Sequence, residues 1–219
     1  MMHSTRAFIT RAAWRANLYG FHCAKRGIDI AGAAVILLLL LPLFAVVALA
    51  VRLESKGSIF FRQVRVGQFG RTFAMWKFRS MYVDAEARRA TLENAGHLSG
   101  GIRFKMKGDP RITRIGRLIR RASIDELPQL WNVLRGDMSL VGPRPPLPLE
   151  VAAYTLTERS RLDVPPGITC TWQVSGRSEI PFDRQVEMDI DYIHAQSIRF
   201  DLRLLLQTVP AVVFGRGAC

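Results

Sequence analysis

Two adjacent acidic residues, Asp125 and Glu126, stand inside a basic stretch of the chain. Pro128 follows them, and the apolar residues around it recur at helical spacing and stop at Gly136. These apolar positions are Leu127, Leu130, Trp131 and Leu134. Because proline suits the first turn of a helix and glycine its end, a helix is predicted with the acids at its N-terminus. Helix N-termini attract phosphate and arginines flank the segment, so the pattern predicts chemistry on a diphosphate, with Mg²⁺ between carboxylate and substrate.

The same residues also fit an ordinary helix cap. Ser123 would be the capping residue, and Glu126 stands three positions later, which is the spacing of a capping box. In that interpretation the acids stabilise a helix end and take no part in chemistry. The local pattern leaves both interpretations open.

The charge balance predicts an anionic partner. The chain has 31 lysines and arginines against 18 aspartates and glutamates, which gives a formal net charge of +13. Such an excess suits nucleic acid, acidic lipid or a phosphorylated substrate. Hydrophobic residues make up 49% of the chain, which favours a membrane-surface protein over a nucleic-acid binder.

The cysteines and histidines predict neither a disulfide framework nor a zinc site. The three cysteines, Cys23, Cys170 and Cys219, lie far apart, which fits a reducing cytosolic setting. The four histidines form no pair with cysteine at metal-ligand spacing.

A long apolar segment follows a basic N-terminal arm, residues 1–24, which either lies on anionic lipid or has no function. Residues 30–51 carry no charge and are long enough to span a bilayer. Basic residues bracket the segment on both sides, and Pro42 near its middle bends or breaks a helix. A re-entrant membrane helix over residues 25–55, which returns to the face it entered, satisfies both observations. A straight span with a mild kink and a signal peptide ending at Ala50 are the alternatives.

The remaining residues, 56–219, predict an α+β domain that is mainly helical with a small β-hairpin. Two strand-like runs around a glycine-rich turn predict the hairpin over residues 59–78. Residues 82–95 predict an exposed helix, and the glycines of 96–101 predict a flexible loop that could cover a site. Residues 111–122 predict an interfacial amphipathic helix with five arginines around an apolar stripe; a core-packed helix with a solvated basic face is the alternative. A further amphipathic helix over 183–198 and an apolar tail over 202–214 complete the chain.

Motifs distributed along the chain resemble those of one family. They are KRGID (25–29), FFRQVRVGQFGRTFAMWKFRSM (60–81), GDPRITRIGRLIRRASIDELPQLWNVLRGDMSLVGPRP (108–145), PPGIT (165–169), WQVSGR (172–177) and DLRLLLQTV (201–209). Together they resemble the bacterial sugar transferases, the monotopic polyprenyl-phosphate phosphoglycosyl transferases that start capsule, exopolysaccharide and O-antigen assembly. The resemblance covers about residues 25–209.

The resemblance implies a reaction and its participants. A UDP-hexose would give its hexose 1-phosphate to undecaprenyl phosphate and release UMP, on the cytosolic face of the bacterial inner membrane. It assigns Asp125 as the nucleophile that forms a covalent phosphosugar intermediate and Glu126 as the Mg²⁺ ligand. Five cations are implied as substrate-binding groups for the diphosphate: Arg120, Lys77, Arg79, Arg111 and Arg144. Membrane lipids are implied as partners and nucleic acid is not.

The chain departs from the family pattern at three points. Leu41 precedes Pro42 where some members have serine, which bears on the re-entrant bend. Cys170 stands where glycine is usual, which bears on a backbone turn near the sugar or nucleotide. The chain also resembles the short form, a catalytic unit without a preceding four-helix membrane domain. The resemblance leaves the sugar, galactose or glucose by family habit, and the oligomeric state open.

Two other functions compete with this one. A non-catalytic basic membrane-surface adaptor explains the charge and the apolar content equally well, but it gives no reason for two acids inside a basic block. A transferase that makes a glycosidic bond would be expected to carry a glycine-rich strand-turn-helix unit for its nucleotide, and the sequence has none.

Overall fold

The computed structural model describes residues 2–88 and 109–213. Within these ranges the chain is mainly helical with two small β-sheets, which confirms the predicted fold class. Helices run over α1 Met2–Glu54, α2 Arg114–Arg121, α3 Gln129–Arg135, α4 Pro148–Ala152, α5 Leu156–Arg159, α6 Thr171–Ser175, α7 Phe182–His194 and α8 Ile198–Val213. Strands run over β1 Phe60–Val66, β2 Thr72–Phe78, β3 Ser139–Val141 and β4 Gly167–Thr169. Short 3-10 turns lie at Gln68–Gly70, Ile124–Glu126, Ser160–Leu162 and Arg177–Glu179.

The predicted arm and the apolar segment form one helix, α1, which contains Pro42. Its part from Gly20 to Glu54 is long and apolar enough to cross a membrane, by length and composition. This helix suggests association with a membrane. Its re-entrant course stays a prediction.

One face of α1 packs on the folded body, and the opposite face is exposed. Ala33 belongs to the main core, whereas Val47 and Val51 pack with Phe78 and Ile119 in a second cluster. Large apolar side chains cover the outer face: Val35, Leu38, Leu39, Leu41, Val46, Leu49 and Leu53. A helix with one apolar face inside the protein and another outside it is suited to contact lipid on the second face.

Both ends of the apolar segment bind the same folded body. Near the start, the buried Lys25 ammonium donates to the carbonyl oxygen of Val141 at 3.1 Å and pairs with Asp201 of α8 at 2.5 Å. At the end, the Glu54 carboxylate accepts hydrogen bonds from the first free backbone N–H groups of α2, including that of Arg114 at 2.6 Å. The two anchors fix α1 to the folded body on either side of its uncharged part.

The predicted hairpin is confirmed as the antiparallel pair of β1 and β2. The register pairs Phe61 with Lys77 and Arg65 with Phe73. Because side chains alternate between the two faces of a strand, Arg65 and Lys77 lie on the same face of the hairpin. The hairpin therefore presents two cations on one side.

The second sheet pairs β3 and β4 in parallel, with Ser139 opposite Gly167 and Val141 opposite Thr169. The main core surrounds this sheet and joins it to α1, β2, α3, α7 and α8. Its buried members are Ala33, Met75, Leu130, Val133, Met138, Leu140, Val141, Tyr192 and Leu204. One core therefore ties the hairpin and the acidic segment to the rest of the chain.

The amphipathic segments form helices with shifted bounds. Helix α2 begins after Thr113, whose side chain accepts from the backbone N–H of Gly116 at 2.8 Å. Its Ile119 packs in the second cluster, whereas Leu118 is exposed. The helix predicted over 183–198 is α7, which ends earlier, at His194, and the apolar tail predicted over 202–214 lies within a second helix, α8. Of the predicted helix 82–95, residues 85–88 are helical, and its remainder and the loop 96–101 lie outside the described residues.

Candidate active site

The two acids lie in a tight turn directly before α3. Asp125 and Glu126 belong to the 3-10 turn Ile124–Glu126, and Ser123 before it has a left-handed backbone with φ 54°. The Ser123 side chain makes no capping hydrogen bond, so the ordinary capping box is not formed. Helix α3 ends where predicted, at Gly136, which adopts φ 91°. The local structure leaves the acids without the capping role that competed for them.

The buried face of α3 differs from the predicted stripe. Leu130 is buried as expected, but the Trp131 side chain is 52% exposed, and Asn132 and Val133 are both fully buried. The Asn132 side chain explains the shift, because it accepts from the backbone N–H of Trp76 at 3.0 Å and donates to the carbonyl oxygen of Ala74 at 2.8 Å. These groups belong to the edge of β2 that β1 does not pair, so Asn132 takes the place of a neighbouring strand. Trp131 is therefore largely exposed, and the polar Asn132 docks α3 on β2.

Asp125 is a buried carboxylate without a direct partner among the residues that the structure describes. Its side chain is 7% exposed, and no other described residue donates a hydrogen bond or forms an ion pair with it. Burial raises the pKa of Asp125 to about 6, while the nearby Lys77 and Arg120 pull it down and Glu126 pushes it up. A desolvated carboxylate whose hydrogen bond comes from its own backbone keeps most of its lone pairs for reaction.

Glu126 is held by a cation and stays ionised. Lys77 of β2 donates to its Oε1 atom at 2.5 Å. Burial raises the pKa of Glu126, but Lys77, Arg144 and Arg65 outweigh burial and lower the pKa to about 2. The two neighbouring acids therefore have pKa values on opposite sides of their ordinary range, which suits different roles.

A cleft beside Glu126 gathers cationic and amide side chains. Its polar lining consists of Arg65, Lys77, Glu126, Gln129, Arg144 and Gln173. The Arg144 guanidinium lies 6.0 Å from the ring centre of Trp172, a contact that helps to hold Arg144 in place. Three cations and two amides around one carboxylate match an anionic ligand with hydroxyl or carbonyl groups attached.

Three of the five predicted substrate-binding cations are close to the acids. Lys77 and Arg144 line the cleft with Glu126. Arg120 donates from Nε to the hydroxyl of Ser80 at 2.8 Å and acts electrostatically on Asp125. Gly116 permits that position, because a Cβ atom there would lie 2.0 Å from the Ser80 carbonyl oxygen. Helix α2 can thus approach the end of β2 closely enough to bring Arg120 to the site.

The other two predicted cations have different contacts. Arg111 is buried and pairs with Asp109 at 2.7 Å, and its charge acts on Arg120 next to it. Arg79 donates to the carbonyl oxygens of Val51, Ser55 and Lys56, at the end of α1. The structure therefore places Arg111 beside the site, and it shows Arg79 capping the C-terminal carbonyl groups of α1. Binding of substrate by either residue stays a prediction.

Residues outside the five predicted cations complete the cleft. Arg65 donates to the carbonyl oxygen of Pro145 at 3.0 Å, which fastens the segment that carries Arg144 to the hairpin. Its position on the same face as Lys77 follows from alternation once the register is known. Gln129 and Gln173 are neutral and have no charge pattern that could have marked them.

The donor atoms at the acids fit Mg²⁺. Mg²⁺ is usually bound in proteins by one or two carboxylates together with substrate phosphates and water. Glu126 offers an ionised carboxylate whose second oxygen has no partner among the described residues, and Asp125 is adjacent in sequence. In the part of the chain that the structure describes, no group of three or more histidine, cysteine, aspartate or glutamate side chains could hold a metal ion by itself. The chemistry of this donor set therefore suits a cation that arrives with a diphosphate.

Comparison with known proteins finds the same kind of protein repeatedly. A family model described as bacterial sugar transferase matches residues 21–215. The galactosyl transferase CpsE of Streptococcus agalactiae is 46% identical over 201 residues, which cover 91% of this chain and 44% of the relative. The undecaprenyl-phosphate glucose phosphotransferase of Komagataeibacter xylinus is 42% identical over 205 residues, with 89% and 36% covered. The exopolysaccharide production protein ExoY of Rhizobium meliloti is 37% identical over 201 residues, with 89% and 88% covered. The chain thus spans less than half the length of the first two relatives and most of the length of the third.

Proposed function

The chain belongs to the bacterial sugar transferase family, and on this premise we propose that it transfers hexose 1-phosphate from a UDP-hexose to undecaprenyl phosphate. The names of its relatives support the lipid acceptor, since they include undecaprenyl-phosphate glucose and galactose phosphotransferases. The observation that carries the proposal is the buried carboxylate of Asp125, which pairs with no other residue of the described ranges, beside the ion pair of Glu126 and Lys77. A non-catalytic adaptor has no use for such a group, because burial of a charge without a partner costs stability.

The proposed reaction has two steps at one phosphorus atom. In the first step a carboxylate oxygen of Asp125 attacks the phosphorus that bears the sugar, the bond from this phosphorus to the oxygen of UMP breaks, and UMP leaves. In the second step a phosphate oxygen of undecaprenyl phosphate attacks the same phosphorus and releases the Asp125 carboxylate. Because both nucleophiles are already ionised, neither step needs a general base. Two steps allow a water-soluble donor and a lipid acceptor to bind in turn.

The cations near the acids have assignable parts in this scheme. Lys77 and Arg144 line the cleft at Glu126, where they would bind the diphosphate and offset the charge that develops on UMP. Arg120 acts on Asp125 and would orient the attacked phosphate beside it. Mg²⁺ held by Glu126 and diphosphate oxygens would add positive charge at the phosphates and favour the departure of UMP.

The exposed face of α1 supports a location of the reaction at a membrane. Its apolar side chains suit the lipid phase, and a donor such as a UDP-hexose is dissolved in the cytosol. We therefore place the enzyme at the bacterial inner membrane with its catalytic domain on the cytosolic face.

The test is release of UMP from donor alone. Purified protein with Mg²⁺ and a UDP-hexose, but no lipid acceptor, is expected to release about one equivalent of UMP and to gain the mass of a hexose phosphate. Asp125→Asn should release none and gain no mass, while it stays folded and membrane-bound. UMP release that requires undecaprenyl phosphate even in the first turnover, or full activity of Asp125→Asn, would contradict the covalent mechanism.

A further inference from the structure

The lining of the cleft includes a neutral side chain whose orientation is set by a thiol. Gln173 of α6 lines the cleft together with Glu126 and Arg144. Its Oε1 atom accepts a hydrogen bond from the Sγ atom of Cys170 at 3.0 Å. Cys170 stands directly before α6 and is buried, so its side chain and that of Gln173 meet across the first turn of the helix.

This hydrogen bond decides which end of the amide is presented to a ligand. The carboxamide of glutamine has one oxygen that accepts and one NH₂ group that donates. With Oε1 bound to Cys170, the NH₂ group is the end left for the cleft, and it donates to no acceptor among the described residues. Burial raises the pKa of the Cys170 thiol well above its ordinary value, so the sulfur keeps the proton that it donates. The cleft therefore contains a donor of fixed direction that carries no charge.

The surrounding charges indicate which part of a donor substrate this amide meets. Arg65, Lys77 and Arg144 already supply cations for phosphate oxygens in the same cleft. A neutral amide adds little there, but a hydroxyl group is a suitable partner because it can accept from NH₂ at the position where its oxygen lies. Two hexoses that differ in the orientation of a single hydroxyl would place that oxygen differently, so one directed donor can distinguish them.

We propose that Gln173 is a specificity-determining residue that donates from its side-chain amide to a hydroxyl of the transferred hexose, and that Cys170 is the positioning residue that aligns it. This assignment rests on the proposed function, since it names the group of the UDP-hexose, a hydroxyl of the sugar, that the cleft recognises. It predicts that the choice between hexoses depends on two residues outside the acidic turn.

The experiment compares initial rates of UMP release from UDP-glucose and UDP-galactose, in vesicles that contain undecaprenyl phosphate. Gln173→Ala is expected to lower kcat/KM for the preferred hexose by about twofold to tenfold, as expected for one neutral hydrogen bond, and to lower the ratio between the two donors by a similar factor. Cys170→Ala should change the ratio in the same direction through KM more than kcat. Cys170→Ser, which keeps a donor at this position, should restore the ratio at least in part.

A matched control lies on the same short helix. Ser175 donates to the carbonyl oxygen of Thr171 at 2.8 Å and does not line the cleft, so Ser175→Ala should leave the ratio unchanged. Thermal unfolding of each variant reports whether it is folded, and if Cys170→Ala does not fold, Gln173→Ala carries the test alone.

The outcomes separate this assignment from the proposed function. A ratio that does not change in folded Gln173→Ala would overturn the assignment, and so would an equal loss for both donors, which would indicate a phosphate contact. A wild-type protein that releases no UMP from any UDP-hexose would overturn the proposed function and this assignment with it. An active wild type with an unchanged ratio in the variants would overturn the assignment alone.

Discussion

The Nζ atom of Lys77 lies 2.5 Å from the Oε1 atom of Glu126, and this ion pair joins the hairpin to the acidic turn. The same ammonium acts on Asp125, whose pKa it lowers against the larger effect of burial. Lys77 therefore favours the ionised form of both acids at neutral pH. Glu126 is ionised far above its pKa, whereas Asp125 is only about one pH unit above its own. A carboxylate that is ionised but poorly stabilised is a better nucleophile than one in a strong ion pair.

The pH dependence of the first step follows from the pKa of Asp125. Because attack needs the carboxylate, the rate of UMP release in the burst should fall as the pH falls through about 6. At pH 5 the rate should be about tenfold lower than at pH 8, since only about a tenth of the groups are then ionised. Rapid-quench measurement of UMP between pH 5 and 8 checks this, and a burst rate that is equal at both ends would contradict it.

Stability provides the control for Asp125→Asn. The pKa of Asp125 in the folded protein lies above its ordinary value of 3.8, so the ionised group costs stability at neutral pH; this cost begins to shrink as the pH falls below about 6 and is gone only below the ordinary value of 3.8. Asp125→Asn removes the cost and should unfold at pH 7 at the same temperature as wild type or at a higher one. A lower unfolding temperature would mean that the variant loses activity by losing its structure.

Replacement of Lys77 should move the acidic limb of the pH profile. Lys77→Gln removes the positive charge that lowers the pKa of Asp125, so the limb should shift to higher pH and the burst at pH 7 should slow. Lys77→Arg keeps the charge and should keep the limb near its wild-type position, although a guanidinium does not reproduce the contact with Glu126. Identical limbs in Lys77→Gln and wild type would show that Lys77 does not set the ionisation of Asp125.

Secondary-structure elements that depend on local sequence patterns could be predicted. Side-chain contacts between distant segments of the chain could not. The hairpin around residues 67–70, the end of α3 at Gly136 and a basic helix within 111–122 follow from turn residues, a terminal glycine and periodicity. Arg79 shows the limit. Its motif implies a substrate-binding cation, which stays a prediction, but no local pattern indicates that its guanidinium donates to carbonyl oxygens at the end of α1, more than twenty residues earlier in the chain.

Asn132 shows the same limit at the site itself. In a helical projection a polar residue next to Trp131 is expected on the solvent side, because apolar burial is the dominant signal. The unpaired edge of β2 reverses this expectation, since its backbone N–H and C=O groups need partners and Asn132 supplies both. No pattern in the sequence shows that β2 and α3 are neighbours.

Loss of the Asn132 amide should uncouple the hairpin from the acidic turn. Asn132→Ala leaves the Trp76 N–H and the Ala74 carbonyl without their partners, which should lower the free energy of unfolding by about 1–3 kcal/mol. Because Lys77 follows Trp76 in the strand, the variant should also lose activity beyond the loss of folded protein.

Arg135→Ala is the matched control, since Arg135 is exposed on the same helix and should change stability by less than about 0.5 kcal/mol. Chemical denaturation of both variants checks the difference, and equal stabilities would contradict it.

The course of α1 can be tested with cysteines that the chain already offers. Lys25 and Glu54 both anchor the apolar segment to the same folded body, which predicts that its two ends lie on one side of the membrane. Cys23 is exposed before the segment and Lys56 is exposed after it, whereas Cys170 is buried and should not react. In a Cys219→Ser background, a membrane-impermeant maleimide should therefore label Cys23 and the thiol of Lys56→Cys from the cytosolic side in inverted vesicles, and neither in intact cells.

As a control, the side chain of Leu39 is 73% exposed in the protein, so Leu39→Cys should be labelled in detergent but protected by lipid in both preparations. If one end is labelled in cells and the other in inverted vesicles, the two charged flanks face different compartments. That result would show that α1 spans the bilayer and would contradict the re-entrant course.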